Sequence, residues 1–222
     1  MLHTMWSVKG GSGVSVTAAL AATMFARERR RVLVVDLRGD QPAVLGVEEP
    51  SGPGVRDWLA STDGSESALD RLLIDLGHGV WLLPSGAAQD WPSERPRQLV
   101  AALRRMRCEV VVDAGVLHGP GLGVTPIVTL GRVLAGAGRS WLVVRPCYLT
   151  VRRAVAERVV ADGLILVQDP GRSLGAREVS RALRTPVVAT VSDDPAIARS
   201  VDSGQVLRRS PRGLDKSLRG VA

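Results

Sequence analysis

Seven short apolar runs punctuate the chain: "HTMWSV" at 3–8, "RVLVVD" at 31–36, "GVWLLP" at 79–84, "CEVVVD" at 108–113, "SWLVVR" at 140–145, "GLILVQ" at 163–168 and "PVVATV" at 186–191. They are rich in β-branched residues and do not alternate with polar ones, the signature of strands covered on both faces. Between most of them lie segments with apolar residues at helical spacing, at 15–27, 94–105, 151–161, 175–183 and 195–203. The alternation predicts a single α/β domain, with a mostly parallel sheet of about seven strands and helices on both faces. Ligands of such sheets bind at the carboxyl ends of the strands. The loop after Val8, Asp36, Asp113 and Arg145 all fall there. Residues 48–64 read as a surface excursion with one short helix around 55–60, and the Gly- and Pro-rich 114–126 as a mobile loop.

Composition narrows the setting. A chain of 222 residues, 45% hydrophobic, buries a full core. No apolar run approaches the roughly 20 residues that span a bilayer. The first residues enter the glycine-rich loop at once, with no pattern of a signal peptide. A cytoplasmic protein is expected, with nucleoid or membrane association left open. Cys108 and Cys147 have no metal or redox spacing and read as buried small residues. His3, His78 and His118 lack ligand spacing, and the five tryptophans fit core packing better than base stacking. A net charge of +7 suggests an anionic partner, whether nucleic acid, acidic lipid or acidic protein. Nearly all of that charge is arginine, with Lys9 and Lys216 the only lysines.

The segment "KGGSGVSV" carries the chemistry. Gly10, Gly11 and Gly13 allow a backbone curve whose N–H groups face a phosphate, and the apolar helix that follows offers its positive end. On Lys9, Gly10, Gly11, Ser12, Gly13, Val14 and Ser15 the sequence resembles the ParA/MinD family of P-loop ATPases, whose loop reads KGGxGK[ST]. The resemblance continues through "RVLVVDLRGDQPAVLG" (31–46), "EVVVDAG" (109–115) and "PVVATVSDDPAIARSVDSG" (186–204), four motifs in the family's order.

The resemblance implies ATP or ADP with Mg2+ as cofactor and a homodimer as partner state. Lys9 matches the signature lysine that reaches the other subunit's phosphates, and Ser15 the hydroxyl on magnesium. Asp36 and Asp113 match the carboxylates around the metal and its water, and Asp193 and Pro195 lie in the segment beside the adenine. The cofactor-binding set is then Lys9, Gly10, Gly11, Ser12, Gly13, Val14, Ser15, Val16, Asp193 and Pro195. The metal set is Ser15, Asp36 and Asp113, and Lys9 and Asp36 are the catalytic candidates if the chain is active.

Two departures stand out. Val14 replaces the in-loop lysine and offers neither charge nor hydrogen bond. Arg38 replaces the second aspartate of the family's DxD pair, and Asp40 substitutes only if the chain shifts by two residues. Phosphoryl transfer depends on placement and charge stabilisation, so no efficient ATPase is expected. Arg38 and Arg145 are candidates to replace lost charge. Three readings remain: a dimerising switch with impaired turnover in spatial organisation (chromosome or plasmid partitioning, positioning of a division site or surface machine), a nucleotide-independent interaction scaffold, and a competent ATPase. A Rossmann-type dinucleotide enzyme is a fourth, with Asp36 holding a ribose.

Residues 1–206 read as the P-loop domain and 207–222 as a basic tail. Arg208, Arg209, Arg212, Lys216 and Arg219 are its cations for DNA or an acidic membrane, with Leu214, Leu218 and Val221 on one face if the tail is helical. An unidentified protein partner is also expected.

Overall fold

Each apolar run becomes a strand. In the computed structural model, which describes residues 1–119, 121–168, 171, 174–208 and 217–221, these are β1 (Leu2–Ser7), β2 (Val32–Asp36), β4 (Val80–Leu83), β5 (Glu109–Val116), β6 (Arg139–Val144), β7 (Gly163–Gln168) and β8 (Val187–Ser192). An eighth, β3 (Ile74–Asp75), is too short for any pattern to reveal and pairs antiparallel with β4. The order is β3-β4-β2-β5-β1-β6-β7-β8, and every other pairing is parallel.

This order rules against the dinucleotide-enzyme reading. There the first two strands are neighbours, whereas here β5 lies between β1 and β2. Asp36 consequently faces Asp113 in register rather than flanking the glycine loop's own strand.

Among the described residues nine α-helices cover the sheet: α1 (Val14–Arg27), α2 (Gln41–Leu45), α3 (Val55–Ala60), α4 (Glu66–Asp70), α5 (Arg95–Arg105), α6 (Pro126–Ala137), α7 (Tyr148–Ala156), α8 (Ala176–Leu183) and α9 (Pro195–Asp202). Side chains alternate along the strands, so the core divides in two. Val32 and Val34 of β2 pack with α1, while Leu33 and Val35 pack with the cluster that includes Leu99 of α5 and Leu130 of α6. Of the segment 114–126, expected as a mobile loop, 117–119 and 121–125 lie outside strand and helix, while 114–116 end β5 and Pro126 starts α6. Thr125 caps that helix by accepting from Val128 N–H at 3.4 Å, and Pro126 sits in its first turn.

Helix α1 is enclosed on all sides from Thr17 to Phe25. Its alanines at 18, 19, 21 and 22 allow close approach to the sheet. Helices α2 and α9 both run into left-handed glycines, Gly46 (φ +70°) and Gly204 (φ +64°), which meet directly. A Cβ on Gly46 would fall 2.2 Å from Gly204 Cα.

The end of the chain differs from the expected tail. Leu218 and Val221 are buried on the α1 side of the sheet, and a Cβ on Gly220 would fall 2.1 Å from the Val188 carbonyl oxygen of β8. Two of the three apolar residues proposed to face lipid therefore belong to the core. Leu214, Arg209, Arg212 and Lys216 lie outside the described residues, and Arg208 and Arg219 are exposed.

Much of the positive charge collects elsewhere. The α1–β2 junction carries Arg27, Arg29, Arg30 and Arg31, and the α5–β5 junction carries Arg104, Arg105 and Arg107. Because β2 and β5 pair, Val32 opposite Glu109, the two runs lie side by side at the amino ends of the strands. Glu109 is ion-paired there with Arg30 at 3.0 Å, and Arg31 stacks on Trp81 at 4.8 Å.

Of the other expectations, Trp6, Trp58 and Trp141 are buried, as core packing requires. His3 is enclosed, accepting from Trp141 Nε1 at 3.2 Å through Nδ1. Cys108 and Cys147 are only half-buried. Among the described residues no helix is long and apolar enough to cross a membrane.

Candidate functional site

The loop between β1 and α1 curves through two left-handed glycines, Gly11 (φ +73°) and Gly13 (φ +88°). Only glycine adopts this backbone without strain. A Cβ on Gly10 or Gly11 would meet nothing within 4 Å, so those two positions face open space. The loop is braced from within, since the Lys9 carbonyl accepts from Ser12 Oγ at 2.7 Å and from Ser7 Oγ at 2.9 Å. No side chain caps the start of α1. Its first-turn N–H groups therefore retain the capacity and the dipole to bind an anion. The Lys9 side chain forms no hydrogen bond or ion pair among the described residues.

The carboxylates at the strand ends are more heavily engaged than their positions in the sequence indicate. Asp36 is fully buried; Oδ1 accepts from the Arg38 and Gly39 N–H groups at 2.9 and 2.8 Å, and Oδ2 from Gln41 N–H at 3.0 Å. Those bonds shape the β2–α2 turn. Burial still raises its carboxyl above the ordinary value, partly offset by the same three bonds. Asp113 accepts from Gln41 Nε2 at 2.8 Å and from Gly115 N–H at 3.2 Å. Burial pushes it up to about 6 against the opposing hydrogen bonds of Gln41 and Ser15, and the charge of Asp36 adds to the rise.

The two departures from the phosphate-loop pattern take definite forms. Val14 opens α1 but is only 7% exposed and packs in the α1-side core, so only its backbone faces the loop. Arg38 is exposed, and its aliphatic stem lies over Gly115, where a Cβ would fall 2.7 Å from Arg38 Cγ. Asp40, not residue 38, carries a carboxylate to the loop, with Ser15 Oγ 3.4 Å from Asp40 Oδ2.

A cleft of about 250 Å³ adjoins the loop, lined by Gly13, Val16, Val167, Val191, Asp193 and Ile197 among others. It offers an apolar slot for a planar base. Val16 and Asp193 line this cleft, while Pro195 begins α9 outside the lining. Arg145 closes one side, ion-paired to Asp193 at 3.5 Å, and so is committed to that carboxylate rather than to the phosphate loop. Val167 and Val191 were not anticipated, because each reads in the sequence only as strand.

Gln41 is the main residue that sequence reasoning missed. It looks like loop polarity before Pro42, yet it is fully buried and bridges the Ser15 carbonyl (3.0 Å) and Asp113 (2.8 Å).

The backbone fits a nucleotide's phosphates: an uncapped helix end, two left-handed glycines and open space before them. The donor set does not fit a divalent cation. Asp36 accepts backbone N–H groups on both oxygens, Asp113 holds an amide, and the Ser15 hydroxyl is shared between the carboxylates of Asp40 and Asp113. Among the described residues no three His, Cys, Asp or Glu side chains converge as a metal site.

No protein-family model matches the chain, and no curated protein matches it in sequence. Solved structures match it over its whole length. The septum site-determining protein MinD of Pyrococcus horikoshii, solved with Mg-ADP, superposes with a TM-score of 0.71 at 20% identity, covering 99% of this chain and 94% of that one. A ParA family ATPase from Chlorobium tepidum gives 0.70 at 20% identity over 100% and 98%. McdA from Cyanothece, as an ATP complex, gives 0.70 at 16% identity over 100% and 95%. The fold is that of the MinD and ParA ATPases.

Proposed function

We propose that this chain is a ParA/MinD-like nucleotide-binding protein that holds ATP or ADP without efficient hydrolysis and acts as a dimerising switch or scaffold in spatial organisation. The observation that carries the reading is the division within residues 9–16. The backbone cradle and the uncapped start of α1 are intact, whereas the side chain at 14 is turned into the core. Charge-assisted bonds contribute about 1.5–3 kcal/mol each, so a loop without its lysine binds more weakly but keeps its backbone donors. Turnover is impaired further because Arg38 stands where the catalytic carboxylate of the pattern belongs and Asp40 reaches only Ser15. The unpaired Lys9 is free to extend to a second copy's phosphates.

The test is light scattering of the purified protein with ADP, ATP and no nucleotide. ATP is expected to convert monomer to dimer, with phosphate release at background. An oligomeric state indifferent to saturating nucleotide would replace the switch with a nucleotide-independent scaffold, a reading favoured by the internal engagement of Asp36 and Asp113.

The arginine-rich end of the sheet supplies an anionic contact to add to the tail cations Arg208, Arg209, Arg212, Lys216 and Arg219. Seven arginines stand at the β2 and β5 starts against Glu28, Glu66, Asp70 and Glu109, with Arg105 paired to Glu66 and Arg30 to Glu28 and Glu109. Retention on duplex DNA should fall steeply with salt. Charge reversal at Arg29, Arg31 and Arg107 should abolish it, while replacing Arg208, Arg209, Arg212, Lys216 and Arg219 by glutamine, which keeps Leu218 and Val221 in the core, should leave most of it. The opposite ranking would assign the contact to the tail, and retention on acidic vesicles but not DNA would make the partner a membrane.

A further inference from the structure

Gln41 places an amide where the loop and the strand carboxylate meet. Its Nε2 donates to the Ser15 carbonyl in the first turn of α1 and to Asp113 Oδ2 at the end of β5, at 3.0 and 2.8 Å. The orientation is dictated by those acceptors, because the reversed amide would set Oε1 against two oxygens. Oε1 is left buried without a partner. An orphaned acceptor in the interior costs about 1–3 kcal/mol, so the nitrogen end accounts for the residue's place.

Resting on the nucleotide-binding reading above, we infer that the Gln41 carboxamide stands in for a divalent cation between α1 and Asp113, and that nucleotide binding by this chain is independent of magnesium. A hydrated cation in the amide's place between the α1 start and Asp113 Oδ2 would displace Nε2, leaving a buried donor unsatisfied in a site that already carries one orphaned acceptor. The other two expected ligands are already engaged, Asp36 with the N–H groups of its own turn and Ser15 with the carboxylates of Asp40 and Asp113. The amide fixes the distance between the helix start and the strand end, which is the positioning part of a cation's work. It supplies no charge, so the phosphates rely on backbone donors and Lys9. Gln41 is thus a positioning residue acting through Asp113 and Ser15.

Calorimetric titration of the intact protein with ADP, once in excess Mg2+ and once in excess EDTA, tests this directly. The dissociation constants are expected to agree within about twofold. Tightening by magnesium of about tenfold or more in the native chain would overturn the inference while leaving nucleotide binding in place. Absence of heat in both buffers would overturn the nucleotide reading and the inference with it. Gln41→Met, of similar length but without the donor, is expected to become magnesium-sensitive by about tenfold; insensitivity in a variant that melts cooperatively would remove Gln41 from the role. Gln41→Glu sets a carboxylate against Asp113, so Mg2+ alone should raise its melting temperature and leave that of the native protein unchanged. A shift in the native protein, or none in the variant, would count against the substitution of amide for cation.

Discussion

Replacing Val14 by lysine is expected to tighten nucleotide binding about tenfold to a hundredfold, the range one restored charge-assisted bond provides. The backbone at residue 14 already sits in the first turn of α1 behind the left-handed Gly13, so the new ammonium group starts from the position the fold uses for a phosphate contact. The exchange removes an apolar side chain that is 7% exposed. A lysine stem still covers part of that surface, so the stability loss should be about 1–2 kcal/mol rather than the full value of a buried valine. Calorimetry and urea denaturation of the same variant measure both numbers. Turnover should not follow affinity, because Arg38 remains; Val14→Lys combined with Arg38→Asp is the variant expected to release phosphate. A folded Val14→Lys protein with no gain in affinity would mean that residues 9–16 do not cradle phosphate, and the chain would be a scaffold on this fold.

Gly46→Ala is expected to produce the largest loss of stability. The residue has φ +70°, and its added methyl group would fall 2.2 Å from both Cα and the carbonyl oxygen of Gly204. Neither partner atom is a side chain that can rotate away. The left-handed backbone costs a non-glycine residue roughly 1–2 kcal/mol, and forced overpacking adds roughly 1–3 kcal/mol. Gly52→Ala is the matching control, since a Cβ there meets nothing within 4 Å and the backbone is not left-handed; its change should stay within about 0.5 kcal/mol. Equal midpoints in urea for the two variants would show that the ends of α2 and α9 do not meet. The contact also joins the helix that presents Gln41 to the helix that walls the base cleft, so a weakened Gly46 variant should lose nucleotide affinity along with stability.

Strands were legible because burial on both faces removes polar residues from them, leaving unbroken apolar runs such as 31–36 and 163–168. β3 was not, since two residues carry no period. Residues 114–126 read as one loop from their glycines and prolines; 117–119 and 121–125 lie outside strand and helix, while the two ends belong to β5, where Gly115 is a left-handed position under Arg38, and to α6, which Thr125 caps. The curve of the loop at 9–15 was readable from glycine spacing, because only glycine adopts the backbone angles of Gly11 and Gly13 without strain. The roles of Asp36 and Gln41 were not readable. Asp36 looks the same in sequence whether it binds a metal or three N–H groups, and Gln41 acquires its partners only when β5 comes to lie beside β2. A second basic cluster was not legible for a related reason. The tail concentrates arginines along the chain, whereas the larger cluster forms in space from two runs more than 70 residues apart in sequence.

The parallel strands give that cluster a direction. The arginines sit at the strands' amino ends and the phosphate loop at the carboxyl end of β1, whose six residues extend about 20 Å. A molecule lying on a polyanion would stand with its loop uppermost and level with the loops of its neighbours. Encounters between copies would then be confined to a plane with their sites at a common height, and pairing would respond to crowding on the surface more than to concentration in solution.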